Sequence, residues 1–296
     1  EEDAAPDGHE PFGDPAPLAR HALRQMVFDA WRSGGARPDP AVLHAHLLAR
    51  AVLPPGADGR AALDAVLADV APFAAAAIDA GFGGAGQARR FDIDVEGCRL
   101  TGTLDDVHGD RVFRAALRPQ GRHGGHALRH GLDWLVASTQ GLPLHELSTP
   151  SAKDAPAIMV RPPLAPEQAR KTLESLLAAR RRAMRAPLPF LPKSAHVWWV
   201  EAAKSEQAGN DTDTAFQAAE NAWCGGDSGY THAEAGPATA IALRGCDPFL
   251  DKGALDGGAD AREAFELWAQ RLFDALEHGQ PFDASFDETP LLGAMP

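Results

Sequence analysis

The feature that most constrains this chain is a change of hydrophobic period near residue 88. Up to about residue 80 apolar residues recur at helical spacing. From Phe91 they alternate: Phe91, Ile93 and Val95 are separated by Asp92 and Asp94. After Glu96-Gly97 the alternation resumes with Cys98, Leu100, Gly102 and Leu104. A period of two is what a half-buried strand requires, because successive side chains point to opposite faces. Glu96-Gly97 fits a two-residue hairpin turn. Asp105 to Asp110, containing Gly109, reads as a polar turn, and Arg111 to Leu117 as a third strand. A helix with Leu128, Leu132, Leu135 and Val136 on one face follows. Beyond a long loop, the apolar run Ala157 to Val160 is expected as a fourth, inner strand.

Helical patterns flank this block. Residues 1–17 are acidic and rich in Pro and Gly, the composition of a loose leader. Leu18, Leu23, Met26, Val27 and Trp31 share one helical face. Val42, Leu43, Leu47 and Val52 share a second, stopped by Pro54-Pro55, and Leu63, Val66, Leu67, Val70, Phe73 and Ala77 a third. After the strands, Pro166 opens a helix to about Arg185. His196 to Val200 (HVWWV) reads as a short strand or a loop with buried indoles. Further helices are expected over 214–223 and 262–276, with a mobile Gly-rich stretch from Gly225 to Gly236. The plan is mixed α/β with a helical lead-in over 18–80, a sheet core over 88–200 and C-terminal helices over 201–296. No internal repeat is visible.

Charge and composition narrow the function. The formal net charge is −13, against indiscriminate coating of DNA by phosphate neutralisation. Cys98, Cys224 and Cys246 stand far apart, as reduced thiols of a cytoplasmic protein do. No contiguous apolar run approaches the roughly 18 residues of a membrane span, and no signal peptide opens the chain. The first residue is Glu, so the chain is expected to be a piece of a longer polypeptide. There is no GxxxxGK[ST] phosphate loop and no GxSxG elbow. The histidine pairs His44/His46 and His123/His126 lack cysteines at zinc-finger spacing. No cofactor or metal is expected.

One stretch departs from the acidic background. Between Asp110 and Asp133 there is no acidic residue, while Arg111, Arg114, Arg118, Arg122 and Arg129 occur with His123, His126 and His130. Guanidinium groups and helix N-terminal amides both suit phosphates, so these arginines are candidate DNA-backbone contacts. The alternative is that they pair with the excess acids. Arg180, Arg181, Arg182 and Arg185 close a helix, where cations complement the helix dipole. Of the adjacent Trp198 and Trp199, one is expected in the core and the other facing DNA or a partner. Trp31, Trp134, Trp223 and Trp268 lie at core spacing.

Several phrases, taken in order, carry a resemblance. They are Gly102-Thr103-Leu104-Asp105-Asp106-Val107 with Arg111-Val112-Phe113-Arg114, LRHGLDWLVASTQG over 128–141, PPLAPEQA over 162–169 and APLPFLPKS over 186–194. The alanine-rich helix ending at Trp223, Leu243-Arg244-Gly245 and Phe265-xx-Trp268-Ala269 complete the set. The chain resembles the C-terminal domain family of RecC, the gamma subunit of exodeoxyribonuclease V. The resemblance implies a restriction-endonuclease-like, PD-(D/E)XK fold over 18–296 that does not cut. It also implies RecB and RecD as partner subunits, a double-stranded DNA end and its unwound single strands as ligand, and a role in double-strand-break repair and recombination.

Active relatives need an acid at the end of the second strand, then an acid and a lysine spaced D/E-x-K on the third, to hold a divalent metal and position water. Here Asp105 stands at the first position and Ala116-Leu117-Arg118 matches the triplet by spacing. A methyl group replaces the second acid. An arginine, whose pKa is too high to exchange a proton, replaces the lysine. Asp106 and Asp110 are nearby oxygens that would rescue a metal site if they converged. The expectation is a non-catalytic DNA-guiding and subunit-scaffolding domain. The rivals are an active nuclease with a migrated acid and a protein-docking module that never meets DNA.

Overall fold

A computed structural model describes residues 17–118, 123–150, 153–185, 187–209, 211–225, 234–236, 239, 241, 243, 249 and 261–284. The proposed leader 1–17 therefore lies almost wholly outside the described residues, as do Arg122 and most of the Gly-rich stretch. The chain divides into two compact units. One comprises residues 1–87, 115–121 and 147–159, the other 88–114, 122–146 and 160–296.

In the first unit, helices α1 (Pro17–Gly34), α2 (Pro40–Ala49) and α3 (Gly56–Ala77) form the lead-in, and α3 continues through a π-turn, Ile78–Phe82. Asp39 caps α2 by accepting from Ala41 N at 2.8 Å, and Pro40 supplies the preset φ of a first helical residue. The α3 stripe Leu63, Val66, Leu67, Val70, Phe73 and Ala77 is buried, and α3 packs on α1, whose Leu23, Val27 and Phe28 are buried too. Buried Arg32 donates to Phe82 O at 3.3 Å and ties the end of the π-turn back to α1. Taken together, Gly56–Phe82 is long and apolar enough by length and composition to cross a membrane. Reading contiguous apolar runs missed it because its hydropathy comes from scattered alanines. Its exposed Arg60, Asp64 and Asp69 and its buried stripe make it amphipathic, the pattern of a core helix.

The sheet has five strands in sequential order: β1 (Gln87–Val95), β2 (Cys98–His108), β3 (Arg111–Ala115), β4 (Leu144–Ser148) and β5 (Ala157–Arg161). Glu96 (φ 48°) and Gly97 (φ 69°) both take left-handed conformations, the requirement of a type I′ hairpin turn. The pairing of β2 and β3 is antiparallel, with Val107 opposite Val112. Helix α4 (Gly124–Thr139) crosses from β3 to β4. Val112 N donates to Pro143 O at 3.0 Å and Ala116 N to Leu147 O at 2.8 Å, so partners advance in the same direction and the pair is parallel.

Three sequence expectations are corrected here. Asp105 to His108 belong to β2, and only Gly109 and Asp110 form the turn. The fourth strand is Leu144–Ser148, within the expected loop; Ala157–Arg161 is the fifth, at the sheet edge rather than inside it. Finally, HVWWV is not a strand but part of helix α6 (Pro192–Ala208). There the buried residues Ala195, Trp198 and Ala202 recur at helical spacing, and packing outweighs the β preference of valine and tryptophan.

In the second unit, Ile93, Val95, Leu104, Val107 and Val112 pack with Trp134 and Leu135 of α4 and Leu173 of α5 (Pro166–Ala183). A second cluster joins α6, α7 (Asp213–Cys224) and α8 (Ala261–His278) through Trp198, Ala215, Trp223, Phe265 and Phe273. Glu234 caps α6, accepting from Lys193 N at 2.9 Å, Ser194 N at 2.7 Å and Ser194 Oγ at 2.8 Å, because Leu191 at the N-cap has no oxygen to offer. At the other end of the cluster, α8 stops at Gly279 (φ 66°), whose carbonyl accepts from Thr172 Oγ1 at 2.8 Å. Arg161 donates to Leu276 O at 2.6 Å and lies 4.0 Å from the Trp134 ring centroid.

Candidate nucleic-acid interface

Asp105, expected at the position of a first nuclease acid, is exposed on β2. The next residue, Asp106, has φ 58°, a left-handed conformation that inserts an extra residue into the strand. The bulge explains why Leu104 and Val107, three residues apart, are both buried in one core cluster. The Asp106 carboxylate is 2.9 Å from His108 Nε2. Asp110 is exposed in the turn.

The triplet Ala116-Leu117-Arg118 lies just past the end of β3. Ala116 is fully buried, Leu117 is buried, Arg118 is half-buried, and Arg118 N donates to Ala116 O at 2.8 Å. Asp105 belongs to one compact unit and Ala116 to Arg118 to the other. Among the described residues, no group of three His, Cys, Asp or Glu side chains is arranged to hold a metal ion.

The arginines separate by environment. Arg114 is committed internally: Nε donates to Asp133 Oδ2 at 2.5 Å, and Nη1 to Asp105 O at 2.8 Å and Phe113 O at 2.7 Å. It ties β2 and β3 to α4. Arg111 is half-buried at the start of β3. Burial, and after it the Arg111 guanidinium, holds the His145 imidazole below its ordinary pKa, while Asp110 opposes them. Arg129 is exposed on α4. Arg122 lies outside the described residues.

The amides at the start of α4 already have an acceptor. His123 Nδ1 accepts from Gly125 N at 2.9 Å and His126 N at 3.3 Å, a histidine N-cap that requires this nitrogen to be unprotonated. The ring of His126 lies 4.0 Å from that of His123 and 5.7 Å from that of His130. His130 Nδ1 meets Glu146 Oε1 at 2.8 Å, both side chains being buried. Sequence reasoning missed this pair. The one available signal was a lone Glu between the apolar residues of LHELS.

Neither adjacent indole stands free. Trp198 is buried, and half-buried Trp199 donates to Asp274 Oδ1 at 2.9 Å. Trp134, Trp223 and Trp268 are core residues, and Trp31 is half-buried.

A five-stranded mixed sheet flanked by helices, carrying a basic stretch on the crossover from β3, defines the class: a mixed α/β domain. The sequence profile of the RecC C-terminal domain matches residues 1–203, and the chain belongs to that family. No curated protein matches the chain. Family membership points to a role in DNA repair as part of the RecC subunit of the RecBCD complex.

Proposed function

We propose that this chain is the non-cleaving, DNA-guiding and subunit-scaffolding domain of a RecBCD helicase-nuclease, acting in the cytoplasm on double-strand breaks. In this reading, residues 18–296 form one restriction-endonuclease-like domain behind a short acidic leader. It docks RecB and RecD, and meets the duplex end and its unwound strands. The sequential strand order, with a meander followed by a crossover helix and a parallel strand, supports the nuclease-like assignment.

The observation that carries the reading is Ala116. At the position of the second acid stands a methyl group with no exposure at all, and Arg118 replaces the lysine. One exposed carboxylate, Asp105, cannot satisfy the near-octahedral oxygen ligation of magnesium. DNA contact then rests on Arg111, Arg118, Arg122 and Arg129 against phosphates, while Arg114 is spent on Asp133 and the Asp105 carbonyl. Scaffolding is supported by an apolar groove of ≈ 710 Å³ in the second unit, lined by Leu100, Leu132, Val136, Leu176 and Leu188 among others. Open apolar surface of this kind suits a protein contact.

Two measurements test the reading. Linear DNA incubated with the chain and Mg²⁺ or Mn²⁺ stays intact; digestion that disappears in Asp105→Ala establishes the active-nuclease rival instead. Forked DNA binds with a salt dependence that weakens on charge reversal at Arg111, Arg118 and Arg129. An unchanged salt slope leaves a docking module without DNA contact.

A further inference from the structure

The apolar groove of the second unit is open along α4, α5 and β2. Its volume is ≈ 710 Å³. Leu132 of α4, which lines it, is 36% exposed, and Leu100, Leu128, Leu176 and Leu188 around it are half-buried. Leucines left in this state are stabilised by an apolar segment that covers them.

The path of the chain after α8 leads to this groove. The backbone runs along α5 residue by residue. Gly279 O accepts from Thr172 Oγ1 at 2.8 Å, and Phe282 N donates to Ser175 Oγ at 2.9 Å. Ala284 is then buried in a cluster with Ala179, Trp268 and Leu272. Thr172, Ser175 and Ala179 succeed one another at helical spacing, so the chain advances toward the C-terminal end of α5. The next position on that stripe is Ala183, and Ala179 and Ala183 both line the groove. Leu176, Ala179, Leu188, Phe190 and Leu272 belong at once to the groove wall and to the cluster that Ala284 joins.

Twelve residues of the sequence follow Ala284: SFDETPLLGAMP, 285–296. At roughly 3.3–3.6 Å per residue they reach about 40 Å when extended, whereas one turn of α5 is about 5.4 Å. Their composition suits the site. Phe286, Leu291, Leu292 and Met295 are apolar, and Asp287-Glu288 is acidic. The end of α5 is cationic. Arg181 is paired with Glu96 and Arg182 lies over the Trp268 ring, but exposed Arg180 and Arg185 make no ion pair or side-chain hydrogen bond among the described residues. Arg180 lines the groove. The segment also lies beyond residues 1–203, which the family profile matches.

We propose that residues 285–296 of this chain fold back into the groove. Phe286, Leu291 and Leu292 cover its leucines, and Asp287-Glu288 meets Arg180 and Arg185. A segment tethered this closely acts at an effective concentration of ~millimolar order, so a weak intrinsic affinity suffices to fill the site. The inference goes beyond the proposed function. It describes the chain before a subunit docks, a subunit using this groove must displace the tail, and no DNA contact is involved.

The test is photocrosslinking of the 296-residue chain with p-benzoylphenylalanine in place of Leu291, mapped by mass spectrometry. The expected adducts are intramolecular, fall on residues 128–136 and 176–190, and form at a yield independent of protein concentration. Leu132→Glu with Arg180→Glu puts a charge in the apolar contact and removes the cationic partner. It should lower that yield about fivefold or more. Both positions are exposed, and a cooperative thermal transition checks that the variant is folded. A second readout leaves the groove intact. Leu291→Asp with Leu292→Asp in the full chain should raise the fluorescence of added 8-anilinonaphthalene-1-sulfonate about threefold, because the uncovered groove takes up the dye. Adducts outside the groove, or none, overturn the inference, as does dye fluorescence unchanged by the tail variant. Adducts only between chains also overturn it and assign the groove to a second copy. Neither readout involves DNA, so the cleavage and salt-slope measurements decide the proposed function separately.

Discussion

His130 on α4 and Glu146 on β4 form a buried hydrogen-bonded pair, Nδ1 to Oε1 at 2.8 Å, that ties the crossover helix to the strand it leads into. Removing one partner leaves the other buried in an apolar setting. Glu146→Leu or His130→Leu alone should therefore cost about 1–3 kcal/mol in urea unfolding. The double variant should recover a large part of that loss, because no orphaned group remains. A double variant as unstable as the worse single one would show that the pair is not the coupled unit its geometry implies.

Arg114 and Arg129 should respond oppositely to loss of charge. Arg114 is held by Asp133 and two carbonyls, so Arg114→Ala should lower stability by about 1–2 kcal/mol. Arg129 is exposed, and Arg129→Glu should stay within about 0.5 kcal/mol of the parent while weakening DNA binding. Melting curves and anisotropy on the same samples separate the two.

Acid should destabilise the fold partly through His145. Burial and Arg111 hold its folded-state pKa below the unfolded value of 6.5, so the folded chain prefers the neutral ring. The contribution is full above that value. It is lost as pH falls below 6.5 towards the folded pKa, where the unfolded chain takes up the proton first. His145→Gln should flatten this part of the stability profile, read as denaturation midpoints between about pH 7 and pH 5.

Gly279 should not tolerate a side chain. Its φ is 66°, and a Cβ would come within 2.2 Å of Leu164 Cδ1. Gly279→Ala should cost about 1–3 kcal/mol from backbone strain and crowding together. An unchanged thermal midpoint would mean that α8 can end elsewhere.

Much of the architecture was legible along the chain. The alternation from Phe91 to Leu104 marked the hairpin, and the helical stripes of α1, α3, α4, α5 and α8 were visible as apolar periodicity. What failed has particular causes. Strand β4 is only Leu144–Ser148, and its central Glu146 breaks the apolar run that marks an inner strand; the residue is tolerated there because His130 meets it. The bulge at Asp106 destroyed the alternation in β2, so a strand end looked like a turn. In α6, HVWWV favours strand locally, and only its packing on α8 explains the helix.

The candidate site divides in the same way. The alanine at 116, the arginine at 118 and the acid-free stretch from 111 to 132 are facts of covalent order, and no folding is needed to read them. Which arginines are available is not. Arg114 is spent on Asp133, whereas Arg129 is exposed on the same helix that carries that acid. Local periodicity is set by the geometry of a single helix or strand and is therefore written in neighbouring residues. The pairing of charges depends on which elements the hydrophobic core brings together, and that emerges only when the chain closes on itself.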